Sequence, residues 1–126
     1  MNFTLSTTSY FDVAAKRLSK RYKSFADDYD TFLEEIKNNP YQGVELIPGV
    51  RKIRMTITSK GKGKSGGARV ITFTYALSEI VGEIVLLLVY DKSDASSVKN
   101  NVIKAILKDI GLDIFKLQSE GRLKPK

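Results

Sequence analysis

From Ala68 to Tyr90 the chain carries two long β-type runs, Ala68–Ala76 and Ile80–Tyr90, joined by a short link. A link that short favours antiparallel pairing, so the fold has to be built round this hairpin. Its most apolar stretch, Ile84 to Tyr90, is a strand's length and far short of the ~20 residues a membrane helix needs. Just upstream, Arg51–Thr58 alternates: Ile53, Met55 and Ile57 point to one side, and Lys52, Arg54, Thr56 and Thr58 to the other.

The N-terminal third has a different period. Phe3–Thr7 predicts a short first strand. Ser9 with Asp12 three residues later reads as a capping box. Phe11, Ala14, Ala15, Leu18 and Tyr22 then recur at helical spacing. Ser24 with Asp27 starts a second helix, whose stripe is Phe25, Tyr29, Phe32, Leu33 and Ile36, and Asn38-Asn39-Pro40 stops it. Helices so close in sequence predict an antiparallel hairpin. Gly43 and Pro48-Gly49 are turn signals. After the strands, Asp94 is expected to begin a last helix carrying Val98, Val102, Ala105, Ile106 and Ile110, closed by Gly111. Leu112–Leu117 can add a helical turn, and the polar tail from about Ser119 to Lys126 is expected to fray. The order β-α-α-β-β-β-α predicts one α+β domain over residues 1–126, with helices on one face of a mostly antiparallel sheet.

The chain has no cysteine and no histidine. Disulfides, thiol-ligated metals and histidine-based nucleophile pairs are therefore excluded. No targeting segment is visible at Met1-Asn2-Phe3-Thr4, and a cytoplasmic protein with no membrane partner is expected. The net charge is +7, and it is unevenly placed. Residues 1–40 balance six basic against six acidic groups, and residues 76–126 carry eight against seven. Residues 41–75 carry seven basic groups (Arg51, Lys52, Arg54, Lys60, Lys62, Lys64 and Arg69) against Glu45 alone. A plain solvated surface intersperses its signs, so this block points to an anionic partner.

The loop Ser59–Gly67 contains Gly63-Lys64-Ser65, which invites a phosphate-loop reading. That reading fails, because Thr58 stands where the first glycine belongs and a strand, not a helix, follows. Two readings stay open for the loop: a soluble hairpin connection, or a cationic arm that grips a phosphate backbone. Lys52 and Arg54 share a strand face, whereas Arg51 points the other way. Arg69 can lie beside them across the hairpin, and fixed arginines suit phosphate contact. Because Arg69 shares parity with Ile71, Phe73 and Tyr75, it is expected at the edge of the core or before a bulge. Tyr90 can stack on a base or donate a proton. The carboxylates Asp27, Asp28, Asp30, Glu34 and Glu35 read as a solvated helix face rather than a metal site.

From about Phe3 to about Val102 the sequence resembles the RelE/HigB-type toxins of bacterial toxin–antitoxin modules. The resemblance rests on Lys37-Asn38-Asn39-Pro40 with Gly43, on Gly49-Val50-Arg51-Lys52-Ile53-Arg54, on Ser59 through Ile71, and on Tyr90-Asp91-Lys92. The second and third, in that order and spacing, are rather specific to the HigB-like branch. The resemblance implies a small α+β fold of the RelE type. It implies an endoribonuclease that cuts messenger RNA, usually in the ribosomal A site; on the residues present, cleavage is expected without metal or cofactor. It implies neutralisation by a cognate antitoxin, often of helix-turn-helix type. By position, Lys52 and Arg54 match the family's basic pair, Arg69 its phosphate-binding arginine, and Lys92 a basic residue after the last strand. The best-studied branch places a catalytic tyrosine in the following helix; here that region reads Ser96-Ser97-Val98-Lys99, which leaves Tyr90 as the substitute. The segment after Gly111 exceeds the usual toxin length.

RNA cleavage by its own 2′-hydroxyl needs a base, cations for the developing phosphorane charge and an acid for the leaving 5′-oxygen. The expected catalytic set is Lys52 as base or acid, Arg54 and Arg69 as stabilisers, and Lys92 or Tyr90 assisting. Arg51, Lys60, Lys62 and Lys64 are the expected RNA-binding cations. The alternative readings are a non-catalytic or gyrase-directed toxin of the ParE kind, or a nucleic-acid-binding module without toxicity. The basic pair with Arg69, which gyrase-directed relatives generally lack, favours the nuclease.

Overall fold

The computed structural model describes residues 1–123. They run β1 (Asn2–Thr7), α1 (Ser9–Arg21), α2 (Phe25–Asn38), β2 (Val44–Ile47), β3 (Val50–Met55), a 3-10 turn (Thr58–Lys60), β4 (Ala68–Ala76), β5 (Val81–Asp91), α3 (Asn100–Asp109) and α4 (Ile114–Ser119). The fold is α+β around a five-stranded mixed sheet of order β1-β5-β4-β3-β2. β1 runs parallel to β5, and the other pairings are antiparallel. β4 begins and ends where the sequence predicts. β2 is an addition: four residues between Gly43 and Pro48-Gly49, too short to show a period of its own.

The helices lie on both faces of the sheet, not on one. Phe11 and Leu18 of α1 and Phe25, Phe32 and Ile36 of α2 pack with Ile53, Met55, Val70, Ile84 and Leu86. On the opposite face Ile103, Ile106 and Leu107 of α3 and Leu117 of α4 pack with Val50, Ile71, Phe73, Val85 and Leu87. The cause is visible in the strands, which carry large apolar residues at both parities. A single helical layer would leave Ile71, Phe73, Val85 and Leu87 in water, at roughly 1.5–3 kcal/mol each.

Local details differ where side chains have better partners than the pattern suggests. Thr8, not Ser9, caps α1: its Oγ1 accepts from the Phe11 N–H at 3.0 Å and donates to the Leu87 carbonyl at 2.8 Å. Ser24 stands at the start of α2, but its hydroxyl bonds the side chains of Asp28 and Ser59 and caps no backbone N–H of the helix. β3 ends at Met55, and the chain turns through 3-10 geometry after it. α3 starts at Asn100 rather than Asp94, and its buried face is Ile103, Ile106 and Leu107, with Val102 and Ile110 exposed. The extra turn expected at Leu112–Leu117 is present as α4, capped by Asp113, whose Oδ1 accepts from the Lys116 N–H at 3.1 Å. The first part of the expected frayed tail is docked. The Ala76 N–H donates to the Arg122 carbonyl at 2.6 Å, Arg122 Nε returns a bond to Ala76 at 2.9 Å, and Leu123 is buried. The rest of that tail, residues 124–126, lies outside the described residues.

One irregularity sets up the site. Ile71 pairs with Leu88 but Thr72 pairs with Leu86, so Leu87 is an extra residue in β5. Such a bulge reverses side-chain parity beyond it. Ile84 and Leu86 face α1 and α2, and so do Val89 and Asp91 past the bulge; Leu88 and Tyr90 turn toward the α3 side. Among the described residues no helix is long and apolar enough to cross a membrane.

Candidate nucleic-acid interface

At the end of the sheet nearest Met55, three strands place their side chains in one row. Arg54 of β3 pairs with Arg69 of β4, and Arg69 pairs with Tyr90 of β5. Paired residues share a face with Cβ atoms about 4.5–5.5 Å apart. Lys52 lies two residues back along β3 on the same face, half-buried, while Arg54 is exposed. The structure thus gathers Lys52, Arg54, Arg69 and Tyr90. It brings no carboxylate into the row.

Arg69 is only 5% exposed, as its parity with Ile71 and Phe73 requires. Its guanidinium meets no carboxylate. Nη1 donates to the carbonyls of Lys64 at 3.3 Å and Ala68 at 3.2 Å, and Nη2 to that of Ser65 at 3.0 Å. The Ser59–Gly67 loop therefore curls back so that its carbonyls orient a cation they do not neutralise. That is the electrostatic condition of an anion site. The loop closes through Gly67, where a Cβ would stand 2.1 Å from the Met55 carbonyl oxygen, so no other residue fits without moving β3.

Tyr90 completes the row. Its hydroxyl is buried without a hydrogen-bond partner. An unmet buried hydroxyl costs about 1–3 kcal/mol, a cost that a bound acceptor would relieve. Burial raises the phenol pKa, and the Arg69 guanidinium draws it back down. The net direction is upward, so at neutral pH the group is a proton-bearing donor. Lys92, the residue after β5, is exposed, and its backbone N–H donates to the Gly67 carbonyl at 3.0 Å. It stands where the loop rejoins the sheet.

The other expected cations divide. Arg51 does not join the surface. It is buried on the opposite face, donating to Glu45 at 3.2 Å, with its guanidinium 5.1 Å from the Tyr41 ring. Lys60 is also turned inward, its side chain only 6% exposed. Its ammonium donates to Asp91 Oδ1 at 2.6 Å and to Ser93 Oγ at 2.9 Å. Lys64 is exposed but bridges to Glu35 of α2 at 3.0 Å. Lys62 is exposed at the loop tip, with no ion-pair partner among the described residues. Of the four expected RNA-binding residues, only Lys62 and Lys64 are therefore presented to solvent.

The residue that sequence reasoning passes over is Asp91. It is fully buried behind the row and binds Lys60, Arg21 Nη1 at 3.0 Å, the Tyr22 hydroxyl and the Ser93 N–H. Burial pushes its pKa up, but the bonds from Lys60, Tyr22, Ser93 and Arg21 outweigh it and hold the carboxyl well below the usual range. This hub ties the loop's first lysine and the end of α1 to the strand that presents Tyr90. The only signal in the sequence is an acidic residue closing an apolar strand.

Among the described residues no three acidic side chains gather as a metal site would need. No protein-family model matches the chain.

Proposed function

We propose that this chain is a toxin of the RelE/HigB type: an endoribonuclease that cuts messenger RNA in the ribosomal A site and thereby blocks translation. The observation that carries the reading is the Arg54–Arg69–Tyr90 row, two uncompensated arginines beside a phenol that lacks an acceptor. The resemblance of the Gly49–Arg54 and Ser59–Ile71 motifs to that family supports it, and the α+β fold is compatible with it.

In this reading the scissile phosphate sits over the row. Lys52 acts as the base toward the 2′-hydroxyl, whose oxygen attacks phosphorus. Arg54 and Arg69 hold the two non-bridging oxygens as negative charge grows on them. The P–O5′ bond breaks, and Tyr90 or Lys92 gives a proton to the departing oxygen. The products are a 2′,3′-cyclic phosphate and a 5′-hydroxyl, with atoms and charge balanced. Without histidine the proton transfers are weak, so positioning of the messenger by the ribosome supplies much of the rate; orientation alone is worth ~7–11 kcal/mol. Lys62 and Lys64 extend the phosphate track along the loop. A cognate antitoxin with an acidic stretch would switch the site off by covering Lys52, Arg54 and Arg69.

The test is to map cuts in a defined messenger during reconstituted translation, with and without ribosomes. Cuts that require ribosomes support the reading. Growth arrest on expression without any RNA cut would move the target elsewhere and leave the row as a binding patch.

A further inference from the structure

A second surface lies away from the arginine row and shares no residue with it. α3, α4 and the β2–β3 turn enclose an open groove of about 780 Å³. Its apolar lining is Ile47, Pro48, Leu107, Leu112, Ile114 and Phe115. Phe115 is 86% exposed, more than any other large apolar side chain among the described residues. Lys104 and Lys108 stand on its rim and make no ion pair among those residues. The one rim carboxylate, Asp113, caps α4.

We propose that this groove receives an acidic amphipathic helix of a partner protein. Lys104 and Lys108 are four residues apart on α3, so their rise along the helix is about 6 Å. Carboxylates spaced i, i+4 on a second helix match that interval, while residues at i, i+3 and i+7 on its adjoining face fill the apolar floor. A second copy of the chain fits poorly, because at net +7 it would set the same lysines against each other. A small ligand also fits poorly, because the floor offers no convergent polar groups to orient it. The inference does not depend on the nuclease reading.

The probe is a synthetic amphipathic helix of about four turns with leucines at i, i+3 and i+7 and flanking glutamates. Its twin carries lysine at each glutamate. Both are titrated into the full chain by amide NMR. The acidic peptide should shift Leu107, Leu112 and Phe115. Phe115→Ser, at an exposed position, should weaken it at least tenfold. The double change Lys104→Glu with Lys108→Glu should transfer the preference to the basic twin. Shifts confined to the Arg54 and Lys62 region would overturn the proposal, as would equal binding of both twins. A concentration-dependent dimer abolished by Phe115→Ser would also overturn it in favour of self-association. So would a groove that accepts small apolar compounds and neither peptide.

Discussion

Arg54 stands directly opposite Arg69 across the β3–β4 ladder, and no carboxylate lies in the row they form. Like charges facing each other in a sheet are destabilising. The pair therefore sits there at a cost to the fold, which a bound phosphate would turn into a gain. Replacing the exposed Arg54 by glutamine should stabilise the free protein by about 0.2–1 kcal/mol. The gain should shrink as salt is raised, while any RNA-directed activity is lost. Urea unfolding at low and high salt measures the first part; a clear loss of stability in Arg54→Gln at low salt would contradict it.

Asp91 is the fold's most exacting charge. Asp91→Asn leaves the buried Lys60 ammonium without its counter-charge and should cost about 3–5 kcal/mol. The pH dependence has a definite sign. The folded carboxyl titrates far below its ordinary 3.8, so on acidification the unfolded chain takes up the proton first. Stability from Asp91 is fully present above about pH 4 and drains away as the pH falls below it. Unfolding free energies measured from pH 7 down to pH 3 should fall more steeply in the wild type than in Asp91→Asn. Parallel curves would rule out this role for Asp91.

The loop lysines should separate by what they touch. Lys60→Ala should behave as a folding mutation, because its ammonium is bound into the Asp91 hub. Lys62→Ala should leave stability within about 0.5 kcal/mol of wild type and weaken RNA contact. Glu35→Gln, which frees Lys64 from its bridge, should strengthen RNA contact without a stability change beyond about 1 kcal/mol. Thermal melts alongside binding to a short RNA at several salt concentrations sort the three. A stable Lys60→Ala with impaired RNA binding would reverse the assignment.

Much of this was legible in the chain, and the misses share a physical cause. β4 and the Lys52/Arg54 face follow from period-2 alternation, and the prediction that Arg69 lies at the core's edge follows from its parity with Ile71. Tyr90 could not be placed that way. Straight alternation from Ile84 would put it with Leu86 against α1, and only the bulge at Leu87 turns it to Arg69's side. Bulges leave no mark in an unbroken apolar run. Asp94 looks like a helix cap because it is acidic and precedes an apolar stripe, yet it pairs with Arg21, more than seventy residues upstream. Lys60 and Lys64 look alike in the sequence and differ only because Asp91 and Glu35 reach them from distant elements. The two-sided sheet was readable in principle from the double-parity apolar content of β4 and β5.

The most direct test of the arginine row is cleavage of a defined messenger in reconstituted translation by wild type, Arg69→Lys and Arg54→Gln, each first shown to be folded. Loss of one transition-state donor typically costs ~10²–10³ in rate. Both variants should therefore lose ribosome-dependent cuts by about that factor while the wild type retains them. Folded variants that cut at the wild-type rate would contradict a catalytic role for the Arg54–Arg69–Tyr90 row.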